Sequence, residues 1–204
     1  MSSRKKPNVV TGDEIRTRTR GATPEHQLDR RELYTGKIFR LDTDMVRFPD
    51  GSESEFDIVR HPGAAAIVPF LSDPEGEEPQ ILLLRQFRYA ADGYIYEIPA
   101  GRLDTGEAPI DCAARELKEE TGCSADRIEP LFTMFTTPGF TDETIHIFMA
   151  TGLTHGQSAR EPDEFAEVVI MRLAEALELI QQGAIPDGKT ALALLFAAGF
   201  RTGA

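Results

Sequence analysis

Glu116, Glu119 and Glu120 fall within five residues of one another, on a segment whose ends carry helix punctuation. Pro109 suits the first turn of a helix, where its missing N–H costs nothing, and Gly122 suits the position just past the end. A helix is therefore predicted from about Pro109 to Thr121. At about 100° per residue, Ile110, Ala113, Ala114 and Leu117 share one stripe, and the three glutamates occupy a sector roughly 100° wide beside it. Packing explains the first set and not the second. Like charges at i,i+4, here Glu116 and Glu120, weaken an isolated helix by about 0.2–0.5 kcal/mol. A hard divalent cation turns that cost into binding, because Mg²⁺ takes oxygen ligands and commonly serves substrate phosphates at the same time. For a carboxylate pair taken alone, a solvated acidic face is the competing explanation.

The pair does not stand alone. Gly101, Glu107, Arg115, Glu116, Leu117, Glu119, Glu120 and Gly122 follow the spacing G-x5-E-x7-R-E-U-x-E-E-x-G-U, with U aliphatic. The seven fixed positions would coincide by chance on the order of once in a million chains of this size. This stretch resembles the Nudix box. Its single departure is Cys123 at the last aliphatic position, where a thiol serves as a small hydrophobe.

YEIPAG before the box, PGFTDE after it with Pro138 sixteen residues beyond Gly122, and GAIPDGKTALALL near the end resemble the ADP-ribose pyrophosphatase branch of that family. The resemblance covers roughly residues 33–196. It implies an α+β chain with the Nudix fold, an α/β/α sandwich around a mixed sheet, preceded by an antiparallel strand extension. It also implies two or three Mg²⁺ or Mn²⁺ ions held by Glu116 and Glu120, with help from Glu119 and the backbone carbonyl of Ala100. Glu107 and Arg115 would form a structural salt bridge. Glu164, with Glu161 in reserve, would be the general base.

The reaction so implied is hydrolysis of ADP-ribose to AMP and ribose 5-phosphate. GDP-mannose or another nucleoside diphosphate sugar is the alternative substrate. A catalytically silent ADP-ribose sensor is the alternative of another class, weakened by the intact glutamates and by the lack of a helix-turn-helix segment. Arg60 and Arg88 are candidates for the pyrophosphate or terminal ribose, Tyr34 or Phe39 for stacking on a base, and Pro138 and Gly139 for the substrate loop. From the residues alone, Arg88 serves equally well as the partner of a carboxylate. The branch commonly swaps its N-terminal strands between subunits, which implies a homodimer.

The elements around the box read as follows. Residues 1–31 are polar and carry a net charge of +4 within a chain of −12, and are expected to be a mobile leader. From Leu33 the residues alternate as strands around a Pro49-Asp50-Gly51 turn, giving a hairpin or meander over 32–61 that is expected to dimerise. The hydrolase domain would then span 62–200. Within it, the apolar runs 62–71 and 80–90 are joined by a short acidic loop and are expected to be antiparallel neighbours. Residues 128–151 read as strand, turn, strand. Two helices follow, one closed by Gly183 and one ending near Gly199. Gly183 to Thr190 also satisfies G-x-x-x-x-G-K-[ST], but a helix rather than a strand precedes it and Pro186 removes a donor, so it is not read as a phosphate loop.

The acidic body disfavours nucleic acid as a partner. No apolar run approaches 18 residues and MSSRKKPN lacks a signal-peptide core, so a soluble, cytoplasmic protein with no membrane contact is expected. Cys112 and Cys123 sit at opposite ends of the predicted helix, too far apart for a disulfide, and are expected to be free thiols without catalytic duty. The four scattered histidines are read as structural or exposed.

Overall fold

The structure is a computed structural model that describes residues 26–156 and 166–201. Its strands are β1 (Gln27–Thr35), β2 (Arg40–Arg47), β3 (Glu53–Arg60), β4 (Ala64–Pro69), β5 (Gln80–Arg88), β6 (Gly93–Glu97), β7 (Ala100–Arg102), β8 (Cys123–Phe135), β9 (Thr144–His155) and β10 (Ala166–Arg172). Its helices are α1 (Pro109–Thr121), α2 (Leu173–Gln181) and α3 (Gly188–Arg201). They form three sheets with strand orders β1-β2-β3, β10-β5-β6 and β7-β4-β9-β8. Every ladder is antiparallel except β4 with β9.

β4 lies at the centre, buried along its whole length. Successive side chains of a strand point to opposite faces. Ala64, Ala66 and Val68 therefore join one core with Leu173, Ala176, Leu194 and Ala197 of α2 and α3, while Ala65 and Ile67 join another with Ala113 and Leu117 of α1. This is the α/β/α sandwich, and the antiparallel β1-β2-β3 extension precedes it. A near-continuous apolar run is what a strand covered on both faces requires.

Pro109 takes the first position of α1, and Gly122 closes it in the left-handed region at φ 75°, its N–H donating to the Lys118 carbonyl at 2.9 Å. Gly183 likewise sits at φ 75° beyond α2.

Several local expectations need correction. The runs 62–71 and 80–90 are not sheet neighbours, because β7 and β9 occupy the two edges of β4. Only the bridge between Phe70 and Ile81 joins the two runs. α1 is also rotated from its predicted face. Cys112, Glu116 and Glu120 are buried beside Ala113 and Leu117, while Ile110 is exposed at 41% and Ala114 is exposed. The segment before the helix supplies a backbone donor for Glu120 and room for Glu116 there. α3 ends at Arg201, near Gly199 as expected, and an interior glycine costs only about 0.5–1 kcal/mol against alanine. Finally, β1 starts at Gln27, ahead of Leu33, where the alternation first becomes legible. All nine of its residues are exposed, so no buried face marks it in the sequence. Among the described residues no helix is long and apolar enough to cross a membrane.

Candidate active site

The site is built where the chain crosses from the small sheet to the large one. β6 ends at Glu97, Ile98 and Pro99 carry the crossing, and β7 begins at Ala100 against Ala66 of β4. The Ala100 N–H donates to Glu120 Oε2 at 3.0 Å, so the residue before the box glycine touches the glutamate helix directly. At Gly101 a Cβ would overlap the Glu116 carboxylate, so only glycine lets that side chain lie against the strand.

Glu116 and Glu120 are both buried. Burial of a carboxylate demands a compensating donor or cation. For Glu116 one such group is Arg115, whose Nη1 lies 2.6 Å from Glu116 Oε1 and 3.0 Å from Glu119 Oε2. The same guanidinium holds Glu107 through Nε at 2.8 Å and Nη2 at 3.0 Å, and donates from Nη2 to the Arg102 carbonyl at 3.1 Å. Arg115 thereby joins the loop, the helix and three of the box glutamates, Glu107, Glu116 and Glu119. Hydrogen bonding from Arg115, and then from the Asp104 amide, lowers the Glu107 carboxyl from its usual 4.5 to about 2.

Among the described residues, no three His, Cys, Asp or Glu side chains already converge as a closed metal cage. The donor chemistry nevertheless fits a hard divalent ion. Two buried carboxylates, a partly exposed third and an adjacent strand carbonyl are all oxygen donors. The Arg115 contacts with Glu116 and Glu119 would have to be shared with such an ion.

The substrate candidates fall in three places. Tyr34 and Phe39 stack as a tilted pair, ring centroids 6.0 Å apart, where β1 turns into β2. Arg102 Nη1 donates to the Lys37 carbonyl at 2.8 Å, tying that turn to the strand that carries Gly101. Arg60 reaches Asp42 at 3.3 Å, Asp142 at 3.1 Å and also Asp44, linking the N-terminal sheet to the loop that contains Pro138 and Gly139, both exposed. Burial would raise the Asp42 carboxyl, but Arg40 and then Arg60 outweigh it and hold it below the usual range. Arg88 pairs with buried Glu97 at 2.6 Å. Glu161 and Glu164 lie outside the described residues.

The cysteines are free and buried. Cys112 packs under the box loop, its thiol pushed up to about 12 by burial and by neighbouring Glu107. Cys123 has a histidine beside it, with Sγ 3.4 Å from His155 Nδ1. The pairing joins the first residue of β8 to the last of β9 and was invisible in sequence because the two are 32 positions apart.

Sequence reasoning also missed Glu97, Lys189 and Thr190. Lys189 Nζ pairs with Glu97 and lies 3.1 Å from Asp187, while the Thr190 hydroxyl accepts the Ile98 N–H at 2.9 Å. Asp187 accepts the Thr190 N–H at 2.9 Å as an ordinary helix cap. The stretch that mimics a phosphate loop is thus a capped helix start whose lysine is engaged by carboxylates.

The NUDIX domain family model matches residues 61–193. The chain is 37% identical over 174 residues to a methanol dehydrogenase activator of Bacillus methanolicus, covering 84% of this chain and 91% of that one. It has the same identity, length and coverage with an ADP-ribose pyrophosphatase of Bacillus subtilis (strain 168). A crystal structure of an ADP compounds hydrolase superposes with a TM-score of 0.72 at 21% identity, covering 87% of this chain and 94% of that one, and shares the fold. With the family match spanning more than half of the chain, and with relatives at this level aligned over most of their length, the protein belongs to the NUDIX family.

Proposed function

We propose that this protein hydrolyses the pyrophosphate bond of nucleoside diphosphate sugars, with ADP-ribose as preferred substrate and AMP and ribose 5-phosphate as products. The observation that carries this reading is the gathering of buried Glu116 and Glu120 beside Gly101 and Ala100. The similarity to an ADP-ribose pyrophosphatase over most of both chains supports the choice of substrate.

Two or three divalent ions, Mg²⁺ or Mn²⁺, would be held by Glu116, Glu120 and the Ala100 carbonyl, with Glu119 joining them. Such ions, when bound, neutralise pyrophosphate charge and lower the pKa of a coordinated water. The protein's own part is to keep its oxygens aimed at one place. Gly101 leaves room for Glu116, the Ala100 amide orients Glu120, and Arg115 with Glu107 holds the box loop to α1. A carboxylate of the segment before β10, Glu164 with Glu161 in reserve, takes the proton as water forms a new P–O bond. The bridging P–O bond breaks in line with it.

Arg60 reaches the substrate by exchanging one of its carboxylate contacts, and Arg88 by exchanging its contact with Glu97, for phosphate or ribose oxygen. Tyr34 or Phe39 stacks on the base, and the Pro138–Gly139 turn borders the sugar. The exposed strand β1 is covered by a second copy, in a homodimer with exchanged N-terminal strands. Leu33, Tyr34 and Phe39, exposed at 48%, 56% and 41%, support that arrangement.

The test is phosphate release, coupled through alkaline phosphatase, over ADP-ribose, GDP-mannose, UDP-glucose, NADH and diadenosine polyphosphates, each with and without Mg²⁺. Metal-dependent turnover strongest on ADP-ribose is expected. A different nucleotide sugar at the top would keep the chemistry and discard the substrate. Silence across the panel in protein that binds metal would replace the hydrolase by a sensor.

A further inference from the structure

The crossing from β6 to β7 takes the chain from one sheet to another inside the candidate site, and its backbone groups need partners outside both ladders. Ile98 is buried, so its N–H cannot be left to solvent. It donates at 2.9 Å to the hydroxyl of Thr190, itself fully buried on α3, 92 residues away. The Pro99 carbonyl accepts from the Ile67 N–H of β4 at 2.9 Å. One residue before the crossing, the Glu97 carboxylate is buried between Arg88 and Lys189. Lys189 is in turn held by Asp187, which caps the same helix. Two residues after Ile98, the Ala100 amide meets Glu120 at 3.0 Å.

We infer that Lys189 and Thr190, at the start of the last helix, are positioning residues for the metal-binding strand. They pin the Glu97–Pro99 crossing and so set where the Ala100 backbone stands against Glu120. This inference rests on the proposed metal-dependent hydrolysis and adds two residues to it that lie far from the box in sequence. The lysine and threonine of the phosphate-loop-like stretch act on the site through the strand, not on phosphate.

The test removes the hydroxyl with little change of shape. Mn²⁺ affinity is measured by electron paramagnetic resonance of free Mn²⁺ on wild type, Thr190→Val and Thr190→Ser, with thermal unfolding and kcat and KM alongside. The valine variant is expected to bind Mn²⁺ about tenfold more weakly, the scale for loss of an outer-shell partner, with kcat falling more than KM rises. Serine is expected to restore affinity to within about twofold. Wild-type affinity and kcat in Thr190→Val, with only a lower Tm, would overturn the inference, because the hydroxyl would then serve stability alone. If the valine variant does not fold, Lys189→Gln is read against the same outcomes. Failure of wild type itself to bind Mn²⁺ would sink the proposed function, which separates the two.

Discussion

At the scale of single residues, the site depends on buried charge held by one arginine and on a glycine that leaves room for the Glu116 carboxylate. A methyl group at Gly101 would occupy the space of the Glu116 carboxylate. Gly101→Ala is therefore expected to lose about 1–3 kcal/mol in urea unfolding from the forced shift, and to weaken Mn²⁺ binding with it. Glu120→Gln keeps the shape and removes the charge. It should lower kcat by about 10²–10³-fold, the scale for one lost preorganised electrostatic contact. Glu107 gives a pH dependence with a definite sign. Its carboxyl lies at about 2 in the fold against 4.5 when unperturbed, so the folded state releases the proton more readily. The contribution of its pair with Arg115 is present above about pH 4.5 and fades as pH falls towards 2. The stability gap between wild type and Glu107→Gln, followed by denaturant unfolding, should close over that window. Cys112, buried and with its thiol pushed up to about 12, should resist maleimide at pH 8 until the protein is unfolded.

At the scale of elements, the central strand and the box helix share the work. β4 is covered on both faces, so truncating Ile67, fully buried, opens a cavity that the neighbouring helix cannot close. Ile67→Ala should cost about 2–5 kcal/mol by urea unfolding, and activity per folded molecule should survive better than stability. α1 is less a packing element than a carrier of carboxylates. Its ends were legible from Pro109 and Gly122, since a missing N–H and a left-handed φ are properties of single residues. Its buried face was not, because the amide that meets Glu120 belongs to Ala100 on another element and the room for Glu116 is left by Gly101.

At the scale of the whole molecule, the first strand of the N-terminal sheet is left uncovered while the central strand of the sandwich is fully buried. All nine residues of β1 are exposed, among them Leu28, Leu33 and Tyr34. A sheet with so much uncovered apolar surface is expected to find a partner. Static light scattering should give twice the 22.5 kDa mass of one chain. Leu33→Asp combined with Tyr34→Asp should return a monomer that retains secondary structure by circular dichroism and has lost most of its turnover. A wild-type monomer would remove the second copy and leave Tyr34 and Phe39 without the pocket assigned to them.

The sequence by itself determined the chemistry on offer. Seven charged or glycine positions at set spacing are enough to define the box, because a helix and its flanking loop place such residues locally, without help from distant chain. The Glu107–Arg115 bond, eight residues apart, belongs to the same local geometry. What only the tertiary structure decided are the long-range choices. β4 pairs with β9 rather than β5, Glu97 takes Lys189 from 92 residues away, and Cys123 meets His155. Such partners are selected by which edges are free and which buried groups still need a counter-charge. Neither is defined until the sheets have assembled.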